Sequence, residues 1–367
     1  MNSVVRINRD QLKKNFHSIC TAAGPESTVL PVIKRNGYGH GAVEIARILI
    51  DAGAQRFAVA STTEASVIRK AGITEELIVL CGLQSGEEAD AAAIGITPMV
   101  HTIEQLIRWQ DQAKLASRIL PYHLEVDSGM TRLGSDVSNI DTLIDTIKMS
   151  DKTKLVGIAT HLASAQDFTS DQTEQQVQLF KLTVQALAQA GITPHLLHIA
   201  NTAALAYRPE LTLNMVRPGL GLYGYVDKSR GGTTTSQLQI QPILEWYSSI
   251  LSIRDIPAGR LIGYNGTYRS PADMRVGVVG VGYGDGFDYR LSNSGQIFVG
   301  DRVCPVIGSV NMDITLIDLR PAPRATSGDE VTLIGKNCSA QDLAEQCNTI
   351  VYEVLCNISS RVPREYT

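Results

Sequence analysis

A lysine closes an apolar run near the start of the chain, and its position there opens chemistry that a surface lysine lacks. Val29, Leu30, Val32 and Ile33 read as a buried strand, Lys34 follows at its C-terminal end, and Gly37, Gly39 and Gly41 then break the chain into a turn. An ammonium at such a strand end loses part of its hydration, which makes the neutral amine accessible as a nucleophile able to form a Schiff base with a carbonyl cofactor; the bland alternative is a solvated charge. Polar residues also close later apolar runs: Ser61, His101, Asp127, His161, Asn201 and Arg217. The stretch N-M-V-R-P-G-L-G-L-Y-G, residues 214–224, holds a literal G-x-G-x-x-G at Gly219, Gly221 and Gly224. A dinucleotide fold would need a helix opening inside it and an acidic residue about 20 residues on, and neither is evident. Backbone amides in this turn, at Gly219 and Leu220, suit a phosphate instead, with a purely structural turn as the alternative. Arg217, just before it, either pairs with a carboxylate or faces a ligand.

The elements that must position these residues repeat one pattern: apolar strand, polar or glycine-rich loop, amphipathic helix. Strands are expected at Val29 to Ile33, Arg56 to Ala60, Leu77 to Leu80, Ile96 to Val100, Tyr122 to Val126, Leu155 to Thr160, His195 to Ile199 and Asn214 to Val216. Ser61-x-x-Glu64, Thr102-x-x-Gln105 and Asp171-x-x-Glu174 read as capping boxes, and Gly53, Gly72 and Gly191 as helix C-caps. About eight such units in roughly 235 residues fit a closed (β/α)8 TIM-like barrel, in which residues at C-terminal strand ends converge on one face. From Val226 to Gln239 the chain turns polar, with S-R-G-G-T-T-T-S at 229–236, and a linker is expected there. Short strands then recur at Ile243 to Ile253, Arg275 to Val281, Gln296 to Val299, Val303 to Ile307, Ile314 to Leu319 and Glu330 to Ile334, with one short helix near Ser339 to Gln346. The expected organisation is an α/β protein: residues 1–10 as a strand joining the C-terminal domain, residues 11–235 as the barrel, and residues 236–367 as a mostly-β domain.

Composition excludes several other classes. A net charge of -4, from 33 basic and 37 acidic residues, offers no basic field for nucleic acid. No apolar run is long enough to span a membrane, and the opening M-N-S-V-V-R-I-N-R-D lacks a signal-peptide core, so a cytoplasmic protein is expected. Six scattered cysteines without a C-x-x-C pair indicate neither a metal site nor a disulfide framework.

The words around these residues resemble those of one family. V-I-K-R-N-G-Y-G-H-G is similar to the pyridoxal-phosphate signature of alanine racemases, whose usual form has alanines at the positions of Arg35 and Gly37. The resemblance makes Lys34 the cofactor lysine and Tyr38 a neighbour of the phosphate. V-R-P-G implies that Arg217 faces the pyridine nitrogen. D-S-G-M-T-R-L-G gives Arg132 the role of orienting the cofactor's phenolic oxygen and the substrate carboxylate. G-I-A-T-H-L-A brings His161 beneath the ring, and H-I-A-N-T-A-A puts Asn201 and Thr202 near the phosphate. In the second domain, G-Y-N-G-T-Y makes Tyr264 a catalytic base, V-G-Y-G-D-G-F lines the entrance with Tyr283, V-N-M-D binds the substrate carboxylate through the Met312 amide, and Tyr352 takes the place of an inner gate that also borders the cofactor.

The resemblance implies a pyridoxal 5'-phosphate-dependent racemase of alanine with two bases, Lys34 and Tyr264, one for each face of Cα. Tyrosine ionises near pH 10 in water, so a tyrosine base costs about 4 kcal/mol at neutral pH. The family's arrangement, a hydrogen bond to His161 itself held by Arg217, lowers that cost. The family also closes its site across a two-fold dimer, which implies a homodimer with shared sites. A barrel decarboxylase would set a glutamate against the pyridine nitrogen, which Arg217 opposes, and a non-catalytic cofactor carrier would not need Tyr264 and Met312. Gln166 stands where the family has aspartate, Ser309 where it has arginine, and Tyr289 where it has proline, so serine or another small amino acid stays open as substrate. Glu125 occupies the place of a lysine that the family commonly carbamylates, which implies that its carboxylate takes a bidentate bond from Arg132.

Overall fold

The structure, a computed structural model, describes residues 3–232 and 235–367; Thr233 and Thr234, inside the expected linker, lie outside the described residues. The chain clusters into two compact units. One comprises Leu12–Gly37 and Ala42–Gln241; the other comprises Pro242–Thr367, Tyr38–Gly41 and the start of the chain through Gln11.

The first unit is the barrel. Arg56–Val59, Glu76–Val79, Ile96–Val100, Leu120–Asp127, Thr153–Ala159 and Leu196–His198 pair in that order, all parallel. Closure comes from Met215–Val216 pairing with Thr28–Val29, from the parallel bridge Val32↔Ala58, and from Asn201↔Arg217. The first strand is regular over Thr28–Val29 only, shorter than the run to Ile33 suggests, because Pro31 has no N–H to give the ladder. The segment still holds its register, with Leu30 N donating to Val216 O and Ile33 N to Ala58 O, at 2.9 and 2.8 Å. Near-continuous apolar runs such as Phe57 to Val59 and Leu77 to Val79 are wholly buried, as strands covered on both faces must be.

None of the three expected capping boxes closes reciprocally, but two of them form their N-cap half, while Glu64 and Gln105 reach back to the amides of Ala60 and His101 instead. Ser61 and Thr102 accept from the amides of Glu64 and Gln105. Asp171 does not cap its helix: it sits near the helical region and accepts from Gln175 Nε2, while Glu174 is drawn to Arg208. Gly53, Gly72 and Gly191 all have left-handed φ, at 101°, 81° and 81°, where the helices end.

In the second unit, Leu244–Ile256 is the spine of an eight-stranded sheet. It pairs antiparallel with Val4–Ile7, Met274–Val279 and Glu330–Ile334, and Val4–Ile7 pairs parallel with Arg364–Tyr366. Among the elements that went unforeseen are two that carry predicted site residues. Val351–Asn357 is a second helix, which carries Tyr352, and Leu261–Ile262 with Tyr268–Arg269 form a small hairpin around Tyr264. Both are too short for periodicity to distinguish them from loop.

Candidate functional site

The barrel brings most of its charged interior to the ends of its strands. Lys34 follows the first strand, half-buried, and opens a left-handed turn: Arg35, Asn36 and Gly37 have φ of 53°, 54° and 63°. Arg217 follows the last strand and is 6% exposed. It donates through Nη1 to His198 Nδ1 (2.9 Å) and the His198 carbonyl (2.5 Å), and through Nη2 to the Thr160 carbonyl (2.7 Å) and His161 Nδ1 (3.5 Å). Among the described residues no carboxylate lies within ion-pair distance of it, and burial pushes its pKa down to about 10, with Glu125 opposing that fall. Arg217 therefore stays charged at neutral pH. A buried cation held only by neutral groups fits a site that receives an electron-rich ligand atom.

Burial, with Arg217, Arg132 and Lys34 adding to it, pushes His161 down to about 3, so the ring is neutral. Its Nδ1 accepts from Arg217, which leaves the proton on Nε2. Gln176 holds this histidine from behind: its Nε2 donates to the His161 carbonyl and its Oε1 accepts from the Ala163 amide, both at 2.9 Å. Gln176 lay in an ordinary helix with no motif around it, and only its burial at 1% exposure would have marked it.

The turn after Arg217 is a short 3-10 helix, Leu220–Tyr223. Thr202 Oγ accepts from the amides of Gly219 (3.1 Å) and Gly221 (3.2 Å), and Asn201 caps the following helix by accepting from the Ala204 amide. The Leu220 amide between them has no acceptor among the described residues, as a phosphate-binding donor requires. Gly221 is needed here because a Cβ would stand 2.9 Å from Thr202 Cγ2.

Asp127 shapes the loop that carries Arg132. Its Oδ1 accepts from the amides of Gly129, Met130 and Thr131, at 2.9, 3.0 and 3.1 Å. Thr131 then takes a φ of 56°, and Arg132 is exposed, with no hydrogen bond or ion pair among the described residues, although its charge is felt by His101, His161 and Arg217. The bidentate Arg132–Glu125 bond expected from sequence is not formed. Glu125 is 8% exposed, and its Oε2 faces His101 Nδ1 at 3.6 Å.

The second unit holds the remaining predicted residues. Tyr38 and Tyr352 stack at a tilt with ring centroids 5.9 Å apart. Tyr264 lies 71% exposed in a 3-10 turn between Gly263 and Gly266. Tyr283 meets Tyr289 edge-on at 6.4 Å, and its amide donates to the Asn311 carbonyl. Met312 is 55% exposed, and its amide has no acceptor among the described residues. Arg361 ties the two loops together, donating to Asp285 at 2.8 Å and to Asp313 at 2.7 Å. Ser309 is buried, so its hydroxyl does not line an open entrance in its own unit. Among the described residues no helix is long and apolar enough to cross a membrane, and no group of ligating side chains could hold a metal ion.

Comparison with known proteins follows the same division. Residues 7–227 match the family described as "Alanine racemase, N-terminal domain" and residues 243–366 match "Alanine racemase, C-terminal domain". A protein from Halothermothrix orenii named alanine racemase is 33% identical over 97% of this chain and 94% of its own length. One from Methanococcus maripaludis with the same name is also 33% identical, over 98% of this chain and 97% of its own. The crystal structure of alanine racemase from Bartonella henselae, with covalently bound pyridoxal phosphate, superimposes with a TM-score of 0.90 at 26% identity, covering all of both chains. Alanine racemase from Streptomyces coelicolor reaches 0.94 at 26% identity, over all of this chain and 98% of that one. The two family matches leave out only the first six residues, the stretch 228–242 and the last residue, and the chain belongs to the alanine racemase family.

Proposed function

We propose that the protein is a pyridoxal 5'-phosphate-dependent racemase that interconverts L- and D-alanine in the cytoplasm. The observation that carries this reading is Arg217, a buried guanidinium with no carboxylate partner, on the same barrel end as Lys34 and beside a turn with a free amide. Pyridoxal 5'-phosphate, when bound, supplies a conjugated ring that makes the substrate's Cα–H acidic. Arg217 would hold the pyridine nitrogen of the bound cofactor, as a donor that does not give up its proton. Held so, the cofactor would be a weaker electron sink, which would favour simple return of the proton over elimination or transamination. The Gly219 and Leu220 turn, Thr202, Asn201 and Tyr38 would hold the phosphate.

Two groups move the proton. The Lys34 amine takes it from, or returns it to, one face of Cα, and the Tyr264 hydroxyl serves the other. His161 donates from Nε2 to the tyrosine oxygen and stabilises its ionised form, because Arg217 keeps the other ring nitrogen an acceptor. Arg132 and the Met312 amide take the substrate carboxylate, and Tyr283 and Tyr352 restrict the entrance to small side chains. Tyr264 comes from the partner subunit, so the working form is a homodimer with two shared sites. Serine remains the competing substrate, since Gln166, Ser309 and Tyr289 replace the family's charged or rigid residues.

The test is a panel of L-amino acids incubated with protein and cofactor and read by chiral chromatography, with borohydride reduction and peptide mapping alongside. Formation of D-alanine well ahead of D-serine, and a pyridoxyl group on Lys34, are expected. Faster serine turnover would move the substrate assignment, and label on another lysine would overturn the site.

A further inference from the structure

We infer that Glu64 is a positioning residue for Lys34, whose carboxylate holds the left-handed turn that follows the lysine. This rests on the reading of Lys34 as the cofactor lysine. Arg35, Asn36 and Gly37 lie consecutively in the left-handed region, with φ/ψ of 53/50, 54/47 and 63/42. An L-residue there forces its Cβ against the neighbouring carbonyl, so Arg35 and Asn36 hold this shape only if their surroundings impose it.

Three contacts impose it. Gly37 N donates back to Ile33 O at 2.8 Å, and Asn36 Oδ1 accepts from Ala42 N at 2.9 Å. The third is Glu64, whose Oε1 accepts from Arg35 N at 2.7 Å while Oε2 accepts from Ala60 N at 2.8 Å. One carboxylate thus ties the end of the Arg56–Val59 strand to the peptide immediately after Lys34. The Arg35 amide lies in the peptide plane that turns with ψ of Lys34. Pinning that amide fixes the plane and with it the direction in which the lysine side chain leaves the strand.

The helix that begins beside the next-but-one strand shows what capping alone requires. Gln105 stands at the position equivalent to Glu64 and accepts from the strand-end amide of His101 at 2.8 Å. A neutral amide suffices there, because a single donor is satisfied. Glu64 meets two N–H donors, one on each oxygen, a task that only a carboxylate fulfils. Glutamine offers one acceptor oxygen and would turn its NH2 towards the other N–H.

The test uses the full-length protein carrying Glu64→Gln, Glu64→Asp and Glu64→Gln/Arg35→Gly. Hydrogen exchange of the segment 34–37 is followed in the cofactor-free protein, and pyridoxal 5'-phosphate affinity and kcat with the cofactor added. Losing one charge-assisted hydrogen bond should weaken cofactor affinity about 10- to 100-fold. Exchange at the Arg35 amide should speed up by a similar factor, with kcat falling more than KM rises. Arg35→Gly should restore part of the loss, since glycine reaches φ near +53° without the Cβ clash. Glu64→Asp, too short to span both amides, should resemble Glu64→Gln and covers the case in which the glutamine variant misfolds. Glu64→Gln or Glu64→Asp within two-fold of wild type in affinity and exchange overturns the inference, and so does a loss that Arg35→Gly leaves untouched. Wild type that takes no pyridoxyl label at Lys34 overturns the underlying reading instead.

Discussion

His123 and His198 face each other inside the barrel, Nδ1 to Nε2 at 2.8 Å, with their rings nearly perpendicular at 85°. Both are fully buried. Arg217 donates to the other nitrogen of His198, so that nitrogen is an acceptor and His198 carries its proton on Nε2, directed at His123 Nδ1. His123 is thereby left with its proton on Nε2, which has no partner among the described residues. One arginine thus sets the tautomers of both rings of this pair, as it does that of His161.

This chain predicts acid sensitivity. Burial pushes His123 and His161 down to about 3, and His198 well below the ordinary value. All three are neutral in the fold, whereas the unfolded chain takes up their protons as pH falls below about 6.5. Stability is therefore fully present above that pH and is lost progressively from there towards pH 3, at about 1.4 kcal/mol per pH unit for each histidine. Calorimetric unfolding temperatures measured from pH 8 to pH 4 should drop on the acid side, with a shallower slope in His123→Asn. A midpoint that is flat down to pH 5 would contradict the assignment.

Gly157 carries the space that the histidine pair needs. A Cβ there would stand 2.2 Å from His123 Nδ1. Gly157→Ala should lower unfolding stability by about 1–3 kcal/mol, as overpacking does, and should part His123 from His198. Denaturant titration reads the first effect and the histidine NMR signals the second. An unchanged midpoint with both ring signals in place would mean that the barrel yields at no cost.

The proposed sharing of the site between subunits predicts complementation. Lys34→Ala and Tyr264→Phe should each be nearly inactive as homodimers. Mixed under exchange conditions, they form heterodimers with one doubly defective site and one intact one, and activity should recover towards half per mixed dimer. No recovery despite exchange shown by mass spectrometry would place both bases on one chain.

Glu125 predicts independence from carbon dioxide. Its carboxylate lies in the barrel interior, beside His101 and acting on Arg217 through space. Wild-type turnover should not respond to bicarbonate. Glu125→Gln should lose activity about 10-fold or more, through loss of the field that Glu125 exerts on Arg217 across the barrel, and Glu125→Lys should be weak but rise with added bicarbonate. A wild-type rate that climbs with bicarbonate, or full turnover in Glu125→Gln, would remove Glu125 from the site.

Much of this protein was legible in one dimension because its chemistry sits where secondary structure changes. Lys34, His161, Asn201 and Arg217 each end an apolar run, so strand periodicity alone placed them on one barrel face, and the glycine turn at 219–224 marked the loop proposed to take the phosphate. The C-terminal strands were similarly readable from β-branched runs. Pairing and direction were not. That Glu125 meets His101 rather than Arg132 followed from neighbouring strands in register. Asp171 failed as a cap because Gln175 offered a partner that the pattern could not weigh. Glu64 read as a local capping residue, and only the fold brought Arg35, 29 positions away, to its second oxygen. Periodicity is a property of neighbours along the chain, whereas hydrogen bonds between buried polar groups depend on which strand ends the closed barrel sets side by side.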